Sequence, residues 1–375
     1  MFENTKALLQ HFLARGVPDF DLKVMRDGKE IFRHMGGFAD LEKKIPVKGD
    51  ELYDIYSCSK PITVTAAMQL WEKGAFDLED ELSKYLPEYQ EMTVHTPDGG
   101  TVAAKNPILV RQLFTMSAGF SYDLKSPWLL KLREDTRGRC PTREFSRYLA
   151  KEPLFAEPGT EYRYSLCHDV LAALVEVLSG EKFEEYVKKN IFDPMGMTRS
   201  DFLLPMDQYE DKVATRYQWD GEKPVPASKV PTYRLGSEHA SGGAGCVSTV
   251  DEYLLFAEGL RTYKLLKKET IELVTRPWLN ESENRTAAMT WYDYGLGMRK
   301  RKPGTDQSDF GWGGAAGASL HIDIPNGISM YYAQHMTASP TQSLRTFVYT
   351  AVLKDLGFDV ELNPIEDAIA NKLTY

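Results

Sequence analysis

A chain of 375 residues with 42% hydrophobic and 26% charged side chains has the composition of an ordered globular protein with a sizeable core, which excludes disordered and fibrous classes. Its formal net charge of −9 and sequence pI of about 5.4 work against a polyanionic partner, so no nucleic-acid binding is expected. No apolar run reaches the ~18 residues of a membrane span, and the opening MFENTKALLQHFLARG lacks the apolar stretch of a signal peptide; a cytoplasmic protein with no membrane partner is expected.

Leu8, Leu9, Phe12 and Leu13 fall on one helical stripe ending at Gly16, and DLKVMRDGKEIFRHMGG reads as a hairpin turning at Asp27-Gly28. The stretch DIYSCSKPITVTAAMQLWEKG (54–74) holds a helix that is apolar nearly all round from Ile62 to Trp71, hence buried. From roughly 70 to 205 the segments ILVRQLFTMSAG, TREFSRYLAKE, DVLAALVEVLSG and FEEYVKKNIFDPMG carry helical spacing. EKPVPASKVP, within 205–240, is loop-like, and a loop of that length is more often a wall or lid of a site than filler. ASLHIDI (318–324) and GISMYYAQ (327–334) form a second hairpin, followed by a helix in SLRTFVYTAVLKDLG. Strands at both ends and helices between them imply one antiparallel sheet flanked by helices, an α/β fold of α+β type. A single catalytic domain over 1–375 is expected, with an α/β part from 1–70 and 240–375 and a helical subdomain over roughly 71–239.

Pro61 is tolerated only near a helix start, which puts Ser57 and Lys60 at the mouth of the buried helix, three residues apart and on one face. A serine needs a base to become a nucleophile, and burial can bring a lysine from ~10.4 down toward ~7 to 8, where it could serve. The helix N-terminus adds amide donors for an oxyanion. Taken alone, the pair reads equally well as a capping serine beside a lysine with its head in water. Ser179-Gly180-Glu181-Lys182 has the same spacing but follows an apolar helix, at the end where the dipole has the wrong sign.

SCSKPITVTAAMQLWEKGAFDLEDELSKYLPEY resembles the first motif of the serine β-lactamase-like family, which includes class C β-lactamases, D,D-peptidases and related esterases. ILVRQLFTMSAGFSYD, PGTEYRYSLCHDVLAALVEVLSG, IFDPMGM and FGWGGAAGASLHIDIPNG agree in the family's order, from about residue 20 to 355. The resemblance implies a β-lactamase/transpeptidase-like fold and a catalytic Ser57 with Lys60 beside it. Tyr164, in Tyr164-Ser165-Leu166, would share the proton transfer, because a phenol becomes a base where a nearby cation favours its anion. It also implies an oxyanion hole from the N–H groups of Ser57 and Ala315, beside a substrate-binding strand at Trp312-Gly313-Gly314.

Two departures matter: Leu166 stands where the lactamases and peptidases usually have asparagine, and Trp312 where they have lysine or histidine. Both remove polar partners for an amide or carboxylate and place apolar groups beside the substrate, which favours neutral acyl esters and resembles the family's esterase branch. The expected protein is therefore a serine hydrolase of small carboxylic esters. β-Lactamase or D,D-peptidase activity, acyl transfer, and a non-catalytic penicillin-binding-like sensor are the alternatives. Gly311-x-Gly313-x-x-Ala316 precedes a strand and is no dinucleotide fingerprint, and no G-x-S-x-G elbow occurs. Cys58, Cys140, Cys167 and Cys246 read as buried thiols, His168 and His335 as structural, and Arg299–Lys302 as a solvated strand end or turn. No metal and no cofactor is implied, and the oligomeric state is left open.

Overall fold

Leu8, Leu9 and Phe12 are buried on one side of α1 (Glu3–Ala14), and Gly16, with φ 95°, turns the chain out of the helix toward the sheet. The structure, a computed structural model, describes residues 1–205, 207–208, 212–228, 230–279 and 291–362. β1 (Asp19–Arg26) and β2 (Lys29–Asp40) make the hairpin expected at Asp27-Gly28, whose φ angles of 49° and 76° suit the twist of the flanking strands. After β3 (Ile45–Pro46) and β4 (Tyr53–Asp54), a 3-10 turn over Tyr56–Cys58 runs directly into α2 (Ser59–Glu72). Every residue of α2 from Ser59 to Met68 is buried, as its apolar composition requires.

The middle of the chain carries the hairpin β5 (Thr93–His95) and β6 (Thr101–Ala103), then α3 (Val110–Phe114), α4 (Pro127–Asp135), α5 (Thr142–Leu149), α6 (Cys167–Ser179) and α7 (Phe183–Val187). α3 is shorter than its sequence pattern suggests, because the chain turns at Met116 with φ 56°. A π turn over Lys188–Phe192 links α7 to α8 (Asp193–Met195) just before Pro194, which has no N–H to donate. Ser179 is the last residue of α6 and Gly180 caps it with φ 72°, so the second S-x-x-K lies at a helix carboxyl end as expected.

The proline-rich segment is not wholly loop: β8 (Pro224–Pro226) pairs with β7 (Tyr217–Trp219) as an edge strand, where proline's missing donor is harmless. β9 (Val247–Ser248) pairs with β4, and α9 (Val250–Arg261) and α10 (Lys268–Thr275) follow. The chain then forms β10 (Tyr292–Tyr294), β11 (Arg299–Arg301), β12 (Phe310–Gly311), β13 (Ser319–Asp323), β14 (Ile328–Ala333), β15 (Met336–Thr337) and α11 (Phe347–Asp355). Arg299–Lys302 is thus mostly strand β11, in keeping with the strand reading, but half-buried rather than solvated; Arg299 donates to Ser319 Oγ and Lys300 to the Ser308 carbonyl.

Among the described residues the main sheet has eight strands, ordered β10-β11-β12-β13-β14-β1-β2-β3 and antiparallel throughout, so β14 beside β1 joins the two ends of the chain. Alternation splits it between two cores: Tyr331 packs on Tyr253 of α9, in the core that also holds α2 and the middle helices, while Tyr332 faces α1 and α11. We propose the division into an α/β part (1–70, 240–375) and a helical part (71–239) as two regions of one body, because a single buried cluster from Tyr53 to Ala333 runs through both.

β12 pairs with β13 at Phe310–Ile322, and beyond it Leu320 N–H donates to Trp312 O (2.8 Å) and Gly314 N–H to Ala318 O (2.8 Å) around a bridge from Gly313 to Ser319. A buried chain from Asp309 Oδ2 to His321 Nδ1 (2.7 Å) and from His321 Nε2 to Ser319 Oγ (2.7 Å) staples the same two segments. Its order is that of a catalytic triad, yet all three side chains have no exposed surface.

Phe12, fully buried with its ring edge-on to Tyr332 at 5.9 Å, fastens α1 to the sheet. Phe12→Ala should cost about 3–5 kcal/mol in urea unfolding; a loss below about 1 kcal/mol would mean that α1 does not hold the sheet.

Candidate active site

The 3-10 turn that starts α2 gives Ser57 its position. Tyr56, just before it, has φ 48°, a strained left-handed conformation for a non-glycine residue. Cys58 N–H makes the first turn bond, to Ile55 O (3.1 Å), which leaves the Ser57 N–H ahead of the helical ladder. One turn on, Lys60 Nζ lies 3.2 Å from Ser57 Oγ, and Tyr164, from the segment entering α6, donates to the same oxygen at 2.6 Å. The three residues singled out in the sequence therefore meet at one hydroxyl. Tyr162 lies elsewhere, edge-on to Tyr294 at 5.0 Å.

Lys60 has no exposed surface. Its ammonium donates to Gly243 O (2.7 Å) and sits over the rings of Tyr164 (4.6 Å) and Tyr122 (5.5 Å), contacts that favour a desolvated cation. Burial pulls its pKa down, but Tyr122, Tyr164 and Asp169 outweigh that, and the net direction is up from the ordinary lysine value. The downward shift expected from burial alone is thus reversed: Lys60 is held as an ammonium. Tyr122 is pushed up to about 12 by burial, with Lys60 pulling the other way.

Tyr122, not assigned from sequence, stacks on Tyr164 at 5.5 Å and 2°, and Trp312 covers the other side of Tyr164 at 6.1 Å and 21°. The Ser241–Cys246 turn, legible in the sequence as a tight turn near the site but without a catalytic role, lies along α2: Gly243 O takes Lys60, Gly242 O takes Thr63 Oγ1 (2.7 Å), and Cys246 N–H donates to Ser59 Oγ (3.0 Å). A Cβ on Gly242 would come 2.4 Å from His168 O, so only glycine allows this approach.

The strand edging the site packs directly on the Ser57 turn. Trp312 O receives Cys58 Sγ–H (3.7 Å), and a Cβ on Gly314 would lie 2.4 Å from Ile55 O. Ala315, next along, is exposed and shares a cavity of about 490 Å³ with Ser57; its N–H has no protein acceptor among the described residues. Tyr56, Leu124, Val230, Pro231 and Tyr233 make the cavity largely apolar and aromatic. The expected wall between 205 and 240 is present in residues 227–228 and 230–233; residue 229 lies outside the described residues.

Trp312, Gly313 and Gly314 lie behind this cavity rather than along it, and Trp312 backs Tyr164 instead of forming a free wall. Leu166, expected to touch substrate, is 2% exposed at the N-cap of α6 and belongs to the core, so that assignment is corrected. His168 packs in the core beside Gly297, and His335 is paired with Asp54 N–H (3.2 Å) and Ala214 O (3.1 Å). All four cysteines are free and buried. A larger cavity of about 700 Å³ lies beyond Arg216, Ala227 and Ser228, but Ser57, Lys60 and Tyr164 do not line it.

An eight-stranded antiparallel sheet with helices on both faces, and an S-x-x-K turn at the head of a buried helix, define a protein of β-lactamase/transpeptidase-like fold. The chain belongs to the Beta-lactamase family, whose model matches residues 5–351. Esterase EstB of Burkholderia gladioli is 26% identical over 361 residues, covering 87% of this chain and 89% of its own. The ML-236A carboxylate methylbutanoyltransferase mlcH of Penicillium citrinum is 29% identical over 252 residues, which is 63% of this chain and 58% of its own. Among solved structures, EstCE1, a hydrolase with promiscuous acyltransferase activity, matches with a TM-score of 0.77 and 26% identity, covering 93% of this chain and 97% of that one. Family and relatives mark the protein as an enzyme of hydrolysis or acyl transfer. Among the described residues no helix is long and apolar enough to cross a membrane.

If the ammonium is the working form of Lys60, kcat/KM falls as pH rises through its pKa. Tyr122 is the first of the groups that raise that pKa, so Tyr122→Phe should move the alkaline fall to lower pH. A fall that stays in place or moves upward contradicts the account of the cluster.

Proposed function

We propose that the protein hydrolyses small carboxylic esters through an acyl-Ser57 intermediate. One observation carries this: Ser57 Oγ, at the wall of a largely apolar cavity, lies within hydrogen-bond reach of both Tyr164 and Lys60. Acting as a phenolate whose charge the Lys60 ammonium against its ring offsets, Tyr164 takes the hydroxyl proton and becomes a neutral phenol. The freed oxygen attacks the ester carbonyl carbon, and the carbonyl electron pair moves onto oxygen. That oxyanion is received by the N–H groups of Ser57 and Ala315. Collapse expels the alcohol oxygen, which takes the proton from Tyr164, and water repeats the sequence on the acyl-enzyme.

The substrate class rests on the two departures. Trp312 gives the strand an aromatic ring, turned onto Tyr164, where the family's lactamases offer a cation. Leu166 withdraws a polar side chain from the second motif into the core. A neutral ester asks for neither group, whereas a carboxylated lactam or a D-Ala peptide does. Acyl transfer to an alcohol is the second reading, favoured by the methylbutanoyltransferase among the relatives and by the transferase activity in the name of EstCE1.

A chain-length series of p-nitrophenyl esters run beside nitrocefin tests the proposal. Acetate or butyrate esters should be cleaved faster than nitrocefin, and Ser57→Ala should lose at least about 10⁴-fold in kcat. Nitrocefin turned over faster than every ester would instead make the protein a β-lactamase. Added alcohols should yield little transfer product; ester synthesis outpacing hydrolysis would favour the transferase.

A further inference from the structure

Arg345 lies between the 3-10 turn Gln342–Leu344 and α11, and its guanidinium donates to the carbonyl oxygen of Gly314. The peptide unit that ends in that oxygen is the one whose nitrogen belongs to Ala315. There is no cis peptide bond among the described residues, so the Gly314 C=O and the Ala315 N–H point in opposite directions across one rigid plane. A cation fixed on the oxygen side thereby aims the N–H away from itself, and Ala315 faces the cavity that also holds Ser57.

The surroundings show that the chain commits space and charge to this contact. A Cβ on Gly313 would lie 2.8 Å from the guanidinium, so a side chain there would displace it. Gln342 Nε2 holds the following carbonyl, of Ala315, at 3.4 Å. Among the described residues no carboxylate forms an ion pair with Arg345, an arrangement that costs stability unless another role maintains it. Burial, and next the charge of Arg299, push its pKa down to about 10. A charge-assisted bond to an amide oxygen draws electron density from the N–H of the same unit and makes that N–H a stronger donor.

We infer that Arg345 is a positioning residue for the oxyanion hole: it orients and polarises the Gly314–Ala315 peptide so that the Ala315 N–H binds the developing oxyanion. The inference rests on the esterase proposal above, since it needs a tetrahedral intermediate on Ser57. It assigns Arg345 to the transition state and not to binding the substrate.

Arg345→Met and Arg345→Lys test it with p-nitrophenyl butyrate as substrate and an alkyl boronic acid, which forms a tetrahedral adduct on serine, as inhibitor. Arg345→Met should lower kcat roughly 10- to 100-fold while KM changes by less than about threefold, and should weaken boronate binding by a similar factor. Arg345→Lys should recover part of both. Stoichiometric end-point labelling by a fluorophosphonate certifies folded protein with an intact Ser57; if Arg345→Met does not fold, Arg345→Lys carries the test through the same split. An unchanged kcat, a rise confined to KM, or boronate affinity that fails to follow kcat would overturn the inference. Failure of wild-type protein to be labelled at Ser57 would sink the esterase proposal itself, a result distinct from any of these.

Discussion

A buried ammonium that no carboxylate pairs with among the described residues sets the conditions for everything around it. Lys60 has no exposed surface, and the groups that compensate its charge are a backbone carbonyl, two aromatic faces and the Ser57 hydroxyl. Such a cation is tolerated only where dipoles and rings are fixed in advance. The close glycine turn at 242–243, the parallel rings of Tyr122 and Tyr164 and the capping of Tyr164 by Trp312 all serve that condition. The same arrangement leaves one hydroxyl in contact with a phenol and a cation.

The second half of the site is built by close approach of backbone to backbone. The strand from Trp312 to Ala315 lies against the turn that presents Ser57, at a distance that Gly314 permits and a Cβ would not. Backbone bonds tie the strand to β13 and the turn before it, with Leu320 N–H on Trp312 O and Gly314 N–H on Ala318 O, and side chains brace it further: the Asp309–His321–Ser319 chain from within the sheet and Arg345 at the Gly314 carbonyl. Trp312 and Leu166 stand off the Ser57 cavity: Trp312 backs Tyr164, and Leu166 lies in the core.

The sequence made Ser57, Lys60 and Tyr164 legible because local signals marked them: a proline that fixes the helix start, an apolar run that demands burial, and ordered motifs for the tyrosine. The hairpins at Asp27-Gly28 and Pro325-Asn326-Gly327, and the sheet shared between the chain ends, were legible from alternation and turn chemistry. Tyr122, Gly243 O and Arg345 were not, since each acts through a tertiary contact that has no local pattern; Tyr122 did lie in SAGFSYD, a segment recognised but given no role. Burial alone gives the wrong direction for the Lys60 shift, because the phenols that reverse it come from distant parts of the chain. Leu166 was misplaced because adjacency to Tyr164 in sequence does not survive the start of α6, which turns its side chain into the core.

The central claim is that Ser57 becomes a covalent acyl carrier. Its most direct test is acid-quenched turnover of p-nitrophenyl butyrate followed by peptide mapping by mass spectrometry. A butyryl group on the peptide containing Ser57, formed within the first turnover and lost on further incubation, is the predicted result. Full turnover with no acylated peptide, or with the acyl group on another residue, would contradict it.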